Sequence, residues 1–111
     1  SSYSDKRLKD IVGNVESAVE KICQIDTIYY KANDVAKSLG VTDETLKLGT
    51  TSQSVKSVFP ELIAPSPISE EYDTVKYDRL VVPLIAAIKE QQALINELRE
   101  EMKLLKQKIG D

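Results

Sequence analysis

Two residues near the N-terminus, Ser4 and Lys9 in the run SDKRLK, are of the types that a peptide-cleaving pair uses. Ser–Lys chemistry needs a lysine held neutral by burial. Its amine then takes the hydroxyl proton while the serine oxygen attacks a carbonyl carbon. Five residues of ideal helix turn the chain by about 140°, so the two side chains meet only if the segment is irregular. Taken alone, Ser4 is more simply a helix N-cap with Asp5 in the first turn, and Lys6, Arg7 and Lys9 form a solvated basic face. The chain has no histidine and a single cysteine, Cys23, which excludes an internal disulfide, a His-based triad and a zinc site. Catalysis here would use Ser, Lys, Asp, Glu or Tyr, and no metal or cofactor is expected.

The elements that must hold such a pair belong to a chain of 111 residues, the size of one small domain. Its net charge of −3 argues against a general polyanion binder, so no nucleic-acid partner is expected. No apolar run approaches the roughly 18 residues of a membrane span, and the start lacks a signal-peptide core, so the chain reads as soluble. With the leading serines set aside, the spacing of Val15, Ala18, Val19 and Ile22 predicts a short helix to about Gln24, with Asn14 as N-cap. IDTIYYKA reads as a strand. NDVAKSLGV reads as a two-turn helix, capped at Asn33 or Asp34 and stopped by Gly40. LKLGTTSQSVKSVFPELI runs from a short strand through Gly49 into a helix carrying Val55, Val58 and Phe59, broken near Pro60. APSPISEE is a loop and YDTVKYD a short strand.

From about Tyr77 to Ile109 the pattern changes. Leu84, Ile88, Gln91, Ile95, Leu98, Met102, Leu105 and Ile109 alternate spacings of four and three, a 3.5-residue period. Ile88, Ile95, Met102 and Ile109 take heptad position a, extending back to Val81, and Leu84, Gln91, Leu98 and Leu105 take d. Ile85 at e and Leu94 at g widen the stripe beyond a two-helix seam, which favours three parallel strands, with Gln91 as a polar layer fixing register. Glu101 at g reaches Lys106 at e of a parallel neighbour, a pair worth about 0.5 kcal/mol. About 25 helical residues span roughly 37 Å, longer than so small a core can cover. Pro83, early in this helix, is read as the point where globule becomes rod. The expected fold is therefore α+β: a small mixed globular part with short strands and helices over residues 1–76. A long C-terminal helix over 77–111 follows, forming a parallel trimeric coiled coil.

Three motifs in this order resemble the C-terminal intramolecular chaperone domain of phage tail spikes and tail fibres, the S74 peptidase family. SDKRLKDIV (4–12) is similar to its Ser-Asp-x-Arg-x-Lys opening. GTTSQSVKSVFPELI (49–63) is similar to its Gly-x-x-Ala-Gln-Glu-Val segment followed by Phe-Pro-Glu-Leu. VKYDRLVVPLIAAIKEQQALINEL (75–98) is similar to its Tyr-x-x-Leu-x-x-x-Leu-x-x-Ala-Ile-Lys-Glu stretch leading into a coiled coil. The resemblance implies a homotrimeric, self-cleaving serine peptidase that aligns three chains and assists folding of the β-rich shaft upstream in the same polypeptide. It implies Ser4 as nucleophile, Lys9 as base and Tyr3–Ser4 as the scissile bond, with Asp5, Arg7 and Gln53 as positioning residues. It places the module in the host cytoplasm during virion assembly, released after cleavage and absent from the mature virion. The sequence departs from the family at Ser54, where the family carries Glu. A non-cleaving trimerisation or attachment domain is the alternative reading, and the cleavage module of a membrane-bound transcription regulator a third.

Overall fold

The computed structural model describes residues 2–110. The molecule is elongated, 70 × 39 × 21 Å, because one helix projects far beyond a small body. In chain order, a 3₁₀ turn at Lys6–Leu8 precedes α1 (Ala18–Ile22), β1 (Ile28–Tyr30), α2 (Asp34–Ser38), β2 (Lys47–Gly49) and α3 (Ser52–Val58). A second 3₁₀ turn at Pro60–Leu62, β3 (Ile63–Pro65), β4 (Asp73–Val75) and α4 (Tyr77–Gly110) follow.

The four strands form two separate antiparallel pairs. β1 pairs with β2 in the register Tyr29↔Leu48, and β3 with β4 in the register Ala64↔Thr74. Between β1 and β2 lies α2, whose N-cap Asn33 accepts from the Ala36 amide at 2.9 Å. Gly40, at φ 103°, takes the left-handed conformation that ends it. α3 is capped by Thr51 through its side-chain oxygen. Pro60 cannot continue that helix and opens the 3₁₀ turn instead. APSPISEE is only partly a loop: Ala64 and Pro65 belong to β3, an edge position where proline's missing N–H is tolerated.

The core is small. Val55, Phe59, Leu62 and Val75 are buried, with Ile22, Ile25, Val58, Ile63 and Leu80 packed around them. The side of α4 that meets the body carries Leu80, Pro83, Ala87 and Glu90, spaced by three, four and three residues. In heptad terms these are g and c positions, roughly 100° round the helix from the a/d seam. The body thus follows α4 to Glu90, two turns beyond Pro83, and the free rod begins at Gln91 rather than at Pro83.

The predicted start of the first helix is also corrected. Asn14 does not cap it: residues 10–16 have no regular structure, and the helix begins at Ala18 after Ser17, which lies at φ 53° and ψ 38°. A left-handed serine costs roughly 1 kcal/mol and gives no side-chain cap. Its replacement comes from far along the chain: the Ala18 and Val19 amides donate to the two carboxylate oxygens of Glu90, at 2.7 and 3.2 Å.

Candidate functional site

The N-terminal arm takes its local shape from Asp5. Its carboxylate caps the 3₁₀ turn by accepting from the Arg7 amide at 2.9 Å. It also pairs with the Arg7 guanidinium, from Nε at 3.2 Å and Nη2 at 2.9 Å. That side-chain pairing, with the backbone bond second, holds the Asp5 carboxyl below its ordinary range and raises Arg7. Asp5, not Ser4, is therefore the capping residue. Two of the three residues assigned to positioning by family resemblance, Asp5 and Arg7, are joined to each other.

Ser4 and Lys9 flank this turn, both exposed. The Lys9 amide closes the turn on the Lys6 carbonyl at 3.2 Å. The side chains of Ser4 and Lys9 are not brought together within a single chain: neither has a hydrogen bond or ion pair among the described residues. Tyr3 is exposed on the same arm. From Asp10 to Glu16 the arm stays exposed, and Leu8, Ile11, Val12 and Val15 present apolar side chains to solvent.

The middle motif builds the junction of the two hairpins. Gln53 lies exposed in the first turn of α3, where its Oε1 accepts from the Ser52 hydroxyl at 3.4 Å. Ser54 accepts from the Asp26 amide at 3.0 Å, and Thr51 donates its hydroxyl to the Asp26 carboxylate at 2.7 Å. The position at which the family has Glu thus ties α3 to the β1 approach through a neutral hydroxyl. Beside it, the Tyr77 hydroxyl accepts from the Thr50 amide at 3.3 Å, linking this loop to the start of α4.

An open groove of about 600 Å³ lies between the arm and α4, bounded by Val15, Lys21, Phe59, Lys76, Arg79 and Pro83. Lys21 Nζ stands 5.5 Å from the Phe59 ring centroid. No serine, threonine or cysteine lines the groove, so it offers no hydroxyl or thiol nucleophile of those types.

The seam residues all face solvent. Leu84, Ile88, Ile95, Leu98, Met102, Leu105 and Ile109 are 41 to 76% exposed, and Gln91, Val81, Ile85 and Leu94 are exposed with them. Sequence reasoning missed Glu90. Its partners, Ala18 and Val19, lie more than 70 residues away, and the available signal was its place at the end of the Ala-Ile-Lys-Glu stretch.

No curated protein matches the chain. Residues 4–64, more than half of the 111, match the peptidase S74 family, described as the chaperone of endosialidase. That span runs from the arm with Ser4 and Lys9 through the Gln53 segment into β3, and it covers the first two of the three motifs. The chain therefore belongs to the chaperone-of-endosialidase family, peptidase S74.

Proposed function

We propose that this chain is a trimerising intramolecular chaperone of a phage tail fibre or spike, which aligns three copies of an upstream β-rich shaft and then cuts itself free between Tyr3 and Ser4. The observation that carries the reading is the division of labour on α4. The body occupies its g and c positions, while the apolar a and d positions stay uncovered along the helix. An apolar stripe of this length is stabilised by burial against copies of itself. A coiled coil forms from local contacts, so it gathers three chains early and raises the effective concentration of shaft strands that pair slowly.

Cleavage is completed by assembly. Neighbouring copies cover the arm and take Lys9 out of water, so that its amine accepts the Ser4 hydroxyl proton. Ser4 Oγ then attacks the Tyr3 carbonyl carbon, the Tyr3–Ser4 C–N bond breaks, and the Ser4 nitrogen leaves as an amine after gaining a proton. Water hydrolyses the resulting ester, returning the hydroxyl and leaving a Tyr3 carboxylate. The nucleophile is adjacent in sequence to its own target, so proximity replaces a substrate pocket. The work is done in the host cytoplasm during virion assembly, and the released module is left out of the mature particle. A purely structural trimerisation domain is favoured by one observation, the exposure of both Ser4 and Lys9 in the single chain.

The two readings part when the domain is expressed behind its native upstream shaft. The parent should release a fragment beginning at Ser4, while Ser4→Ala and Lys9→Ala should remain full length and trimeric. An intact trimeric parent would leave only the structural reading, and a monomeric parent would remove both.

A further inference from the structure

At the root of the cleavage arm, where the chain enters α1, a single carboxylate receives the first two amides of that helix. Before Ala18 the chain is exposed and, apart from the 3₁₀ turn, irregular, whereas Ala18 itself is fully buried. At this boundary the backbone turns through Ser17 in a left-handed conformation, the only positive φ at a non-glycine residue among the described residues. Serine adopts it at a cost, so something must hold it. The first two amides of α1 point at Glu90 rather than at a local cap, and both carboxylate oxygens are used. Glu90 sits at heptad position c. Its neighbour Gln91 is the d position read as the polar register layer of the trimer.

We propose that Glu90 is a positioning residue for self-cleavage, resting on the reading of the chain as a trimeric Ser–Lys peptidase. Its carboxylate holds the Ser17 turn and so sets the height and direction at which each arm leaves the rod. α4 is a rigid element shared by the trimer axis and by this cap. The Glu90 contact therefore converts the alignment of three helices into placement of three arms. Eight residues separate Lys9 from Ala18, a reach of at most about 30 Å when extended. An arm with a loose root would sweep that whole range, and one with a fixed root meets the neighbouring copy at a defined place. Local turn geometry does not supply this constraint, because Asp5 and Arg7 shape the arm's tip and leave its root alone.

The test uses the domain behind its native shaft, with self-cleavage followed in time, assembly followed by sedimentation and thermal midpoint, and amide exchange read at Ala18 and Val19. Glu90→Ala should speed exchange at those two amides and slow cleavage on the order of 100-fold, the cost of a misplaced reacting group. The trimer and its thermal midpoint should stay close to the parent. Glu90→Gln keeps one acceptor oxygen and should restore part of the rate, and Lys89→Ala on the same turn should cleave like the parent. Cleavage at the parent rate in Glu90→Ala, with exchange at Ala18 and Val19 increased, overturns the positioning role. Equal losses of rate and thermal midpoint reduce Glu90 to a structural residue and overturn it too. If the parent does not cleave, the peptidase reading fails, and this inference falls with it.

Discussion

Gly49 lies where β2 gives way to the loop before α3, and two tyrosines close over it. A Cβ at this position would stand 2.9 Å from Tyr30 Cε1 and 3.2 Å from the Tyr77 hydroxyl, the oxygen that also accepts from the Thr50 amide. The constraint on this glycine is one of space, not of backbone conformation, since a Cβ would require the Tyr30 ring to shift. Gly49→Ala should lower stability by about 1–3 kcal/mol, as overpacking does, read as a lower denaturation midpoint with an unchanged slope. A second residue-scale prediction concerns Asp43. Its carboxylate accepts from Lys47 Nζ at 2.8 Å and from the Thr45 amide and hydroxyl at 2.9 and 2.7 Å. Lys47 contributes most, and together these hold Asp43 well below the ordinary carboxylate range. A depressed acid contributes stability above its unfolded value and loses it as pH falls through the folded one. The brace on the β1–β2 connection should therefore persist down to the ordinary carboxylate range and weaken below it. An NMR titration should place the Asp43 midpoint below the ordinary aspartate range, and Lys47→Ala should move it up; an ordinary midpoint in the parent would remove the brace.

At the scale of elements, local signals carried a good part of the fold. Asn33, Gly40 and Pro60 act on residues within a few positions of themselves, so α2 and the end of α3 were legible from sequence, whereas the Thr51 cap that starts α3, though local, was missed. α4 was legible because its period repeats over many turns. β3 was hidden because its strand character depends on pairing with β4, while its own residues, Ala64 and Pro65, read as loop. The start of α1 was hidden for a related reason: the cap is Glu90, and no local pattern announces a partner more than 70 residues away. The Ser4–Lys9 pair was legible only as a motif, since the proposed burial of Lys9 needs other copies of the chain. The seam of α4 carries the element-scale prediction. Ile88→Asp would place an unpaired carboxylate per copy in a coiled-coil layer, costing roughly 3–5 kcal/mol each, and should shift sedimentation to the monomer. Gln91→Leu should raise the thermal midpoint while loosening register, because a buried polar layer exchanges stability for specificity. A trimer that tolerates Ile88→Asp would refute the seam.

For the whole molecule, shape and surface support the proposal that one chain is an incomplete folding unit. A compact protein of 12.4 kDa exposes about 6,100 Å², whereas this chain exposes 9248 Å². Its radius of gyration is 20.1 Å, against about 13 Å for a compact chain of this length. Apolar side chains exposed in the single chain include those of the a/d stripe of α4, Leu8, Ile11 and Val12 on the arm, and the paired strand residues Tyr29 and Leu48. The buried cluster of Val55, Phe59, Leu62 and Val75 is small, and the proposed trimer would add burial that helps offset the entropy of ordering the chain. Folding should therefore be coupled to association, and mass action then makes stability depend on protomer concentration. Thermal unfolding of the uncleaved Ser4→Ala variant should show a midpoint that climbs steadily over a hundredfold rise in concentration, with helix signal and sedimentation lost together. A midpoint that stays fixed across that range would mean each chain folds alone, and the uncovered seam would then need a different occupant from two further copies of itself.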